Sequence, residues 1–370
     1  MGGRARARAA GRPRGGSDTP SEDGPDPRSA LRDGRSLVVI GDNLEVLRLH
    51  VDDASVDLVY LDPPFNSRRD YQLLPVPGRS PDPALAGGDG SSPATGSGLA
   101  FCDSWSWDDE AERQFQWLTS AGSSDVPASL AAFVAGLRAS GSDHDLLAYL
   151  VMMAPRLVEL RRVLKQTGSL YLHCDPAASH YLKVMLDSLF GHSSFRREIV
   201  WRSGWVSGFK ARAKNWVRNH DVILYYVKDP RSAFTFHKDR AYRPHAEGYA
   251  RRGGGGNPKG VALDDVWDET ALYSPWIKSF SKEKLGFMTQ KPRALLERIL
   301  AVSSSEGDLV LDPFLGCGTT AEVAHLLGRR WLGIDVSPLS GQLARQRIRE
   351  SAIPADIEVL RARGSGAASR

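Results

Sequence analysis

The sequence predicts a doubly wound α/β fold, in which helices cover both faces of a mostly parallel sheet. Leu37 to Ile40 and Val56 to Leu61 are short apolar runs, typical of strands buried on both faces, and a helical stretch separates them. The same order of strand, helix and strand returns near the C-terminus, from Asp308 to Asp335. Repeated βαβ units of this kind indicate a parallel sheet.

Further elements are predicted between these two units. Residues 72–98 are rich in Pro, Gly, Ser and Ala, and we expect a flexible surface loop there. Residues 105–165 form a mainly helical insertion, in which Pro155 should kink or restart the last helix. Gly168 to His173 predicts a strand, and Ala177 to Phe190 predicts an amphipathic helix.

The next segment, residues 199–287, combines positive charge with aromatic side chains. Between Arg196 and Gly260, fifteen Lys and Arg stand against five Asp and Glu, whereas the rest of the chain is balanced or slightly acidic. Val222 to Val227 is the one clear strand that the pattern predicts in this segment, and Arg293 to Val302 predicts a helix after it. The positive charge of the protein is therefore concentrated in one part of the chain.

The composition is that of an ordinary globular protein. Hydrophobic residues make up 41% and charged residues 25%, and no run approaches the roughly 20 apolar residues of a membrane span. The three cysteines, Cys102, Cys174 and Cys317, lack the paired spacing of a zinc site or disulfide framework, so we expect no metal and a reduced, cytoplasmic setting. Residues 1–35 predict a disordered basic tail, which leaves 36–370 as the folded domain.

A glycine-rich turn from Asp312 to Thr320 lies between a predicted strand and a predicted helix. Glycines let the backbone approach a ligand, and a helix N-terminus offers N–H donors. Asp335 ends the next strand, where a carboxylate can accept both hydroxyls of a ribose. Gly316, Gly318 and Ala321 also satisfy the dinucleotide pattern G-x-G-x-x-A, so an NAD-binding oxidoreductase is a competing interpretation, as is a turn that only tightens packing.

Together with a second loop, Asp62-Pro63-Pro64-Phe65, this turn resembles the motifs of the DNA amino-methyltransferases. That family shares an Asp-Pro-Phe-x-Gly-x-Gly-Thr cofactor loop and an (Asp/Asn/Ser)-Pro-Pro-(Tyr/Phe) catalytic loop. Here the catalytic loop comes first and the cofactor loop follows 250 residues later, an order that resembles the β-class, a circular permutation of the usual methyltransferase sheet. The resemblance runs from about Leu37 to Ile348. It implies a Rossmann-like, S-adenosylmethionine-dependent fold with a target-recognition insertion.

The resemblance also implies which residues hold the cofactor, S-adenosylmethionine. The loop residues that would line its methionine part are Phe314, Gly316, Gly318 and Thr319. Asp312 would lie near the ammonium group, Asp335 on the ribose, and Asp42 near the adenine amino group. Thr289 and Lys291 match a further cofactor-side motif, in which a cation would neutralise the methionine carboxylate.

The chemistry of amine methylation explains the residue types in the catalytic loop. An exocyclic amine of adenine or cytosine is a poor nucleophile because its lone pair is delocalised into the ring. The Asp62 carboxylate and the Pro63 carbonyl can accept its two N–H groups, which favours a pyramidal nitrogen aimed at the methyl donor. Pro63 and Pro64 stiffen the turn, and Phe65 offers a face for a base extruded from the duplex. The alternative is a strand-ending turn without chemistry.

Residues 199–287 are the predicted target-recognition region for double-stranded DNA, because Lys and Arg supply phosphate contacts and base-edge contacts supply specificity. The cations singled out for DNA contact are Lys210, Arg212, Lys214 and Arg218. A solvated charged face is the alternative for any single one of them. His173 and Asp175 flank Cys174, which we interpret as a packing residue, and the two polar neighbours could lie near the target base.

The leading interpretation is a site-specific DNA methyltransferase acting on adenine N6, because family members that act on cytosine usually carry Ser in place of Asp62. Methylation of cytosine N4, or of an amine in RNA or protein, is the alternative. An oxidoreductase and a non-enzymatic DNA-binding module are more distant alternatives. A homodimer, a restriction partner, the recognition sequence and the role of the helical insertion are left open by the sequence.

Overall fold

The structure is a computed structural model of the 370-residue chain. It describes residues 26–65, 69–72, 99–120, 125–206, 212, 214–245, 257–275, 281, 283–287 and 289–362. Most of the predicted basic tail and the predicted flexible loop therefore lie outside the described residues. The end of the predicted tail is an exception, because Pro27–Arg32 form a helix with Ala30 buried in the core, so the prediction of disorder up to residue 35 is wrong there. Within the described part, no helix is long and apolar enough to cross a membrane.

Helices and strands alternate along most of the described chain. The helices are α1 (Pro27–Arg32), α2 (Asn43–His50), α3 (Asp109–Thr119), α4 (Ala128–Ala139), α5 (His144–Val163), α6 (Pro176–Phe190), α7 (Arg293–Ser303), α8 (Thr319–Leu326) and α9 (Pro338–Arg349). The strands are β1 (Leu37–Ile40), β2 (Val56–Leu61), β3 (Arg69–Gln72), β4 (Leu99–Asp103), β5 (Leu164–Cys174), β6 (Phe195–Arg202), β7 (His220–Val227), β8 (Tyr242–Arg243), β9 (Val261–Ala262), β10 (Val266–Trp267), β11 (Leu309–Asp312), β12 (Arg330–Asp335) and β13 (Glu358–Arg361).

One nine-stranded sheet forms the centre of the fold, in the order β10-β6-β7-β5-β2-β11-β12-β1-β13. Every neighbouring pair in it is parallel except the two that involve β7, so β7 alone among these nine strands runs in the opposite direction. Two small antiparallel pairs, β3 with β4 and β8 with β9, lie apart from this sheet. The predicted doubly wound, mostly parallel α/β fold is confirmed.

Helices bury both faces of the sheet, because successive residues of a strand point to opposite sides. In β1, Leu37 and Val39 belong to the core formed with α5 and α6, while Val38 and Ile40 belong to the core formed with α7, α8 and α9. The central strands are accordingly apolar on both faces, as their continuous apolar runs predicted.

Several element boundaries differ from the predictions. The helix α5 runs from His144 to Val163 through Pro155, so the predicted restart is wrong. A proline removes only one helical hydrogen bond, and most of the side chains around Pro155 are buried in the core, which keeps the helix intact. Strands β6 and β13 were not predicted from the pattern. Their sequences carry charged residues at exposed positions, which interrupt the apolar runs that mark a central strand.

The predicted division of the chain into a helical insertion and a recognition region stays a prediction. The sheet shows which parts of these two regions belong to the core of the fold. Within residues 105–165, α3 and α4 pack on α5, and α5 itself packs against α2 and α6 beside the sheet. Within residues 199–287, β7, β10 and the second half of β6 are strands of the central sheet. The described residues of the predicted recognition region that lie outside that sheet are 203–206, 212, 214–219, 228–245, 257–265, 268–275, 281 and 283–287.

Candidate active site

Four neighbouring parallel strands carry the predicted site residues at their carboxyl ends. In sheet order, Asp62 follows β2, Asp312 ends β11, Asp335 ends β12 and Asp42 follows β1. The register places Leu311 of β11 beside Val59 of β2, so the chain leaves these two strands at the same edge. This edge is where open parallel sheets bind ligands. The fold therefore brings together two loops that lie 250 residues apart in the sequence.

Asp62 lies against a lysine from a distant part of the chain. Its Oδ2 accepts a short hydrogen bond from Lys291 Nζ, and the side chains of Asp62 and Lys291 are only 16% and 10% exposed. The other carboxylate oxygen, Oδ1, is buried and has no hydrogen-bond partner among the described residues. A buried acceptor without a partner is costly, so Oδ1 is suited to accept an N–H from a ligand.

Phe65 lies on a platform of buried aromatic rings. Its ring centroid is 5.8 Å from that of His173, whose ring in turn meets Trp201 edge-on at 5.2 Å. His173 is fully buried, and its Nδ1 lies 3.0 Å from the Tyr60 hydroxyl. Burial, together with the Asp62, Asp312 and Asp221 carboxylates, raises the pKa of Tyr60 well above its usual value. Tyr60 therefore stays a neutral phenol that holds the histidine under Phe65.

A second row of charges borders this platform. The Nε2 atom of His173 lies 3.5 Å from Asp221, and Arg218 reaches Asp175 at 2.8 Å and Asp221 at 3.6 Å. Burial by itself would raise the pKa of Asp221, but the nearby His173 ring and the charges of Lys291 and Arg218 lower it overall. Asp221 is therefore ionised at neutral pH, and it links the platform to the strand β7.

The glycine loop before α8 adopts a conformation that requires glycine. Gly316 and Gly318 have φ angles of +52° and +78°, in the left-handed region that other residues rarely adopt. A Cβ atom at Gly318 would lie 2.9 Å from the Cα of Ala344 in α9, whereas a Cβ at Gly316 would meet nothing closer than 3.5 Å. Gly318 thus permits close helix packing, and Gly316 lies on the more open side of the loop.

Burial raises the pKa of two carboxylates at this edge, those of Asp312 and Asp335. Burial raises the pKa of Asp312 to about 7, against hydrogen bonds from Thr320 and the Phe314 N–H, and the charges of Asp62 and Asp335 raise it further. Burial also raises the pKa of Asp335, although its oxygens accept from the N–H groups of Gly316 and Ser337. A buried group of acids beside an open glycine loop fits a ligand that carries positive charge and hydrogen-bond donors.

Asp42 is tied into a buried chain that supports the same loop. Its Oδ1 caps α2 by accepting from Leu44 N–H at 2.8 Å, and its Oδ2 accepts from Arg156 at 2.7 Å. Arg156 also donates to Asn43, whose amide donates to the Pro313 carbonyl at 2.7 Å. The predicted contact of Asp42 with an adenine amino group stays a prediction. In the structure, Asp42 is linked through Arg156 and Asn43 to the base of the glycine loop.

The segment with Thr289 and Lys291 lies across the mouth of the site. The Gln290 side chain donates to the Glu283 carbonyl and accepts from the Leu285 N–H, which holds the segment in place. Thr289 is half-buried. The Lys291 carbonyl accepts from the Thr319 hydroxyl at 3.4 Å. The resemblance implies that both residues belong to a cofactor-side motif whose cation neutralises the cofactor carboxylate, and this role stays a prediction. In the structure the ammonium of Lys291 contacts Asp62.

The predicted DNA-contacting cations do not share one environment. Lys210 lies outside the described residues. Arg212 and Lys214 are exposed, whereas Arg218 is paired with two carboxylates at the edge of the platform. Trp216, which lies between them in sequence, is 97% exposed. The structure therefore leaves Arg212 and Lys214 available for phosphate and ties Arg218 to the site.

Tyr60, Arg156 and Asp221 are parts of the site that were not predicted from the sequence. Tyr60 lies two residues before Asp62, so the strand alternation places both on the same face and offered a local signal. Arg156 and Asp221 offered none, because their partners are more than a hundred and almost fifty residues away, respectively. Cys174 is fully buried in the core, in agreement with its interpretation as a packing residue.

The chain matches a known protein-family model over most of its length. A DNA methylase model of the N6 and N4 type matches residues 56–344, which include both the Asp62 loop and the glycine loop. The matched residues make up more than half of the chain.

Curated relatives show similar matches. The type II methyltransferase M.HpaI of Haemophilus parainfluenzae is 32% identical over 200 residues, covering 54% of this chain and 59% of that protein. The DNA adenine methyltransferase YhdJ of Escherichia coli K12 is 33% identical over 188 residues, covering 49% of this chain and 60% of that protein. The chain thus spans less than two thirds of the length of these relatives. Among solved structures, the M1.HpyAVI–SAM complex is 18% identical with a TM-score of 0.43, and the match covers 84% of this chain and 98% of that one.

Proposed function

This chain belongs to the N6/N4-type DNA methylase family, and from that premise we propose that it methylates an exocyclic amino group of a base in double-stranded DNA. The methyl donor is S-adenosylmethionine, and the target is adenine N6. One observation carries the proposal. Asp62 Oδ1 is buried without a partner among the described residues, at the sheet edge where the glycine loop also ends.

Asp62 is the residue that activates the amine. Its Oδ1 accepts one N–H of the target amine and the Pro63 carbonyl accepts the other, which concentrates the lone pair on nitrogen. This catalysis is positional and electrostatic, so it needs no covalent intermediate with the protein. Pro63 is buried and Pro64 half-buried, and both restrict the turn that presents these acceptors. The platform of His173 beneath Phe65 supports a ring on which an extruded base stacks.

The glycine loop and its carboxylates suit the cofactor. When bound, S-adenosylmethionine supplies an electrophilic methyl group on a sulfonium. Its ammonium and sulfonium charges match the acids at this edge, of which Asp312 is buried and has a pKa raised to about 7. Phe314, Gly316, Gly318 and Thr319 follow Asp312 in the same loop, and the Asp335 carboxylate is joined to this loop by the Gly316 N–H, which it accepts at 2.8 Å.

The choice of adenine over cytosine rests on Asp62 in the first position of the catalytic loop and on the match to YhdJ, whose name states an adenine methyltransferase. Arg212 and Lys214, which are exposed, are the proposed phosphate contacts. A homodimer or a restriction partner stays a proposal without a described contact to support it.

The decisive experiment is nucleoside mass spectrometry on DNA from a methylation-deficient host that expresses the protein. We expect N6-methyladenine, and we expect the variant Asp62→Ala to lower its formation by roughly 10²-fold or more, because the alanine side chain offers no acceptor for the amine N–H. N4-methylcytosine would support the alternative target. A 5-methylcytosine product would refute the proposal, because it requires a cysteine nucleophile. Cys174 and Cys317, the cysteines whose side chains the structure describes, are both buried, and burial raises the pKa of Cys174.

A further inference from the structure

Lys291 contacts both loops of the site through hydrogen bonds. Its ammonium donates to Asp62 Oδ2 in the catalytic loop, and its backbone carbonyl accepts from Thr319 at the start of α8, at 3.4 Å. Two residues before Thr289, Phe287 lies 3.5 Å from where a Cβ of Gly316 would be, so the same segment packs on the glycine loop. Lys291 therefore lies at the junction of the proposed cofactor site and the proposed target-base site.

The position of the lysine ammonium conflicts with a bound target base. The ammonium occupies one oxygen of the carboxylate that the target amine must approach, and it lies 5.2 Å from the centroid of the Phe65 ring. That ring face is where an extruded base would stack. With both side chains largely removed from water, the pair is not a mobile surface contact. Oδ1 of Asp62 stays open to the target amine, but Lys291 holds the other carboxylate oxygen and part of the space beside Phe65, so its departure from Asp62 would make more room for a base.

A bound cofactor provides a reason for the lysine to move. This step rests on the proposed function: S-adenosylmethionine carries a carboxylate at the end that the glycine loop would hold. A buried ammonium needs a paired anion, so it can leave Asp62 only if a second carboxylate replaces the first. No other described Lys or Arg is paired with Asp62. The cofactor carboxylate and Asp62 therefore compete for a single cation.

We propose that Lys291 is a positioning residue that exchanges one anion for another: its pairing with Asp62 gives way to pairing with the cofactor carboxylate when the cofactor binds, so that cofactor binding frees Asp62 for the target base. The consequence is an order of events in which the cofactor binds before the base is accepted. Linkage between sites is reciprocal. A substitution that weakens the pairing of Asp62 with Lys291 must therefore strengthen the binding of a ligand that carries the carboxylate.

The test is a double-mutant cycle on ligand affinity, measured by calorimetry without DNA. The variants are Asp62→Asn, Lys291→Met and the double variant, and the probes are S-adenosylhomocysteine, which has the carboxylate, and 5′-methylthioadenosine, which lacks the amino-acid end. Asp62→Asn should tighten S-adenosylhomocysteine binding when Lys291 is present. The same substitution is then made in the protein that already carries Lys291→Met. The gain in S-adenosylhomocysteine affinity should be larger by about 5-fold or more when Lys291 is present than when it is replaced. For methylthioadenosine, the effect of Asp62→Asn should be equal with and without Lys291→Met.

The two probes separate this proposal from a purely structural salt bridge and from failure of the proposed function. If Lys291 only held the two loops together, the cycle would show the same coupling for both probes, and the proposal would be wrong. Absence of coupling for S-adenosylhomocysteine would also overturn it. Binding of methylthioadenosine by each variant shows that the adenosine part of the pocket is intact and folded. If the wild-type protein bound neither probe, the proposed function itself would fail.

Discussion

Asp312 shows that burial and neighbouring charges, rather than residue type alone, set the pKa of a side chain. It is an aspartate at a strand end like Asp62, but Asp62 has the Lys291 ammonium against it, whereas Asp312 has two carboxylates as neighbours. With a pKa raised to about 7, Asp312 titrates near neutral pH rather than in the acid range usual for an aspartate. A cationic ligand beside it would favour the ionised form, so the site can exchange a proton for a charged ligand.

This pKa predicts how the stability of the protein depends on pH. Between the ordinary value of 3.8 and about 7, the folded state holds more protons on Asp312 than the unfolded state does. The contribution of Asp312 to the free energy of unfolding therefore falls as the pH rises through this window, by at most about 1.4 kcal/mol per pH unit. In urea unfolding at pH 5, 6, 7 and 8, Asp312→Asn should lose this slope relative to the wild type.

The matched control for that measurement is Asp229→Asn. The Arg231 N–H lowers the pKa of Asp229 from its ordinary value of 3.8, so Asp229 is ionised in the folded and the unfolded state between pH 5 and 8, and Asp229→Asn should leave the slope in this range unchanged. Parallel pH profiles for the wild type and Asp312→Asn would show that Asp312 titrates normally in the folded protein.

Among the elements of the fold, the glycine loop and the two helices that follow it form one packed unit. From the sequence, Gly316 and Gly318 were expected to share one role, the close approach of the backbone to a ligand. The structure separates them, because Gly318 begins α8 against Ala344 of α9, while Gly316 faces Phe287 across the mouth of the site. Gly318 is therefore needed for the close packing of α8 on α9.

This separation predicts different costs for two equal substitutions. Alanine at either position carries the strain of a left-handed backbone, about 1–2 kcal/mol. Gly318→Ala adds overpacking against α9, roughly 1–3 kcal/mol more, since its Cβ would lie 2.8 Å from the Ala344 Cβ. Thermal unfolding should therefore show a lower melting temperature for Gly318→Ala than for Gly316→Ala. Equal melting temperatures would mean that α9 can shift without cost.

Across the molecule as a whole, charge is distributed unevenly between two regions. The edge of the sheet concentrates buried carboxylates around the site, while the excess of cations lies between Arg196 and Gly260. Arg218 joins the two regions through Asp175 and Asp221. Such an arrangement attracts a polyanion to the surface near the site without filling the site itself with competing cations.

The salt dependence of DNA binding tests this arrangement. If Arg212 and Lys214 each neutralise a phosphate, replacing both with Ala should flatten the log-log dependence of affinity on salt by up to about 2, since each contact contributes about 0.9. The measurement is fluorescence anisotropy on a duplex at several salt concentrations. Arg349→Ala, an exposed cation of α9 paired with Asp356, is the control and should leave the slope unchanged. A slope unaffected by the double substitution would move the DNA path elsewhere.

Local patterns along the chain were enough to predict the fold class and the two loops of the site. Apolar runs such as Val56 to Leu61, and the Gly and Pro residues that end them, act locally, so their pattern predicts strands and turns without knowledge of the rest of the chain. Parallel strands share one carboxyl edge, and for this reason the sheet brings Asp62 and the glycine loop together once the strand order is known.

The contacts between side chains at that edge, in contrast, depend on the folded arrangement of the whole chain. Lys291 and Asp62 are 229 residues apart, and Arg156 and Asp42 are 114 apart, so each pairing depends on the order of strands in the sheet and on which helix covers which face. The membership of β6 in that sheet was likewise set by its pairing with β7. Local residue patterns encode elements and their ends, whereas the partners of a buried charge depend on long-range packing that no local pattern contains.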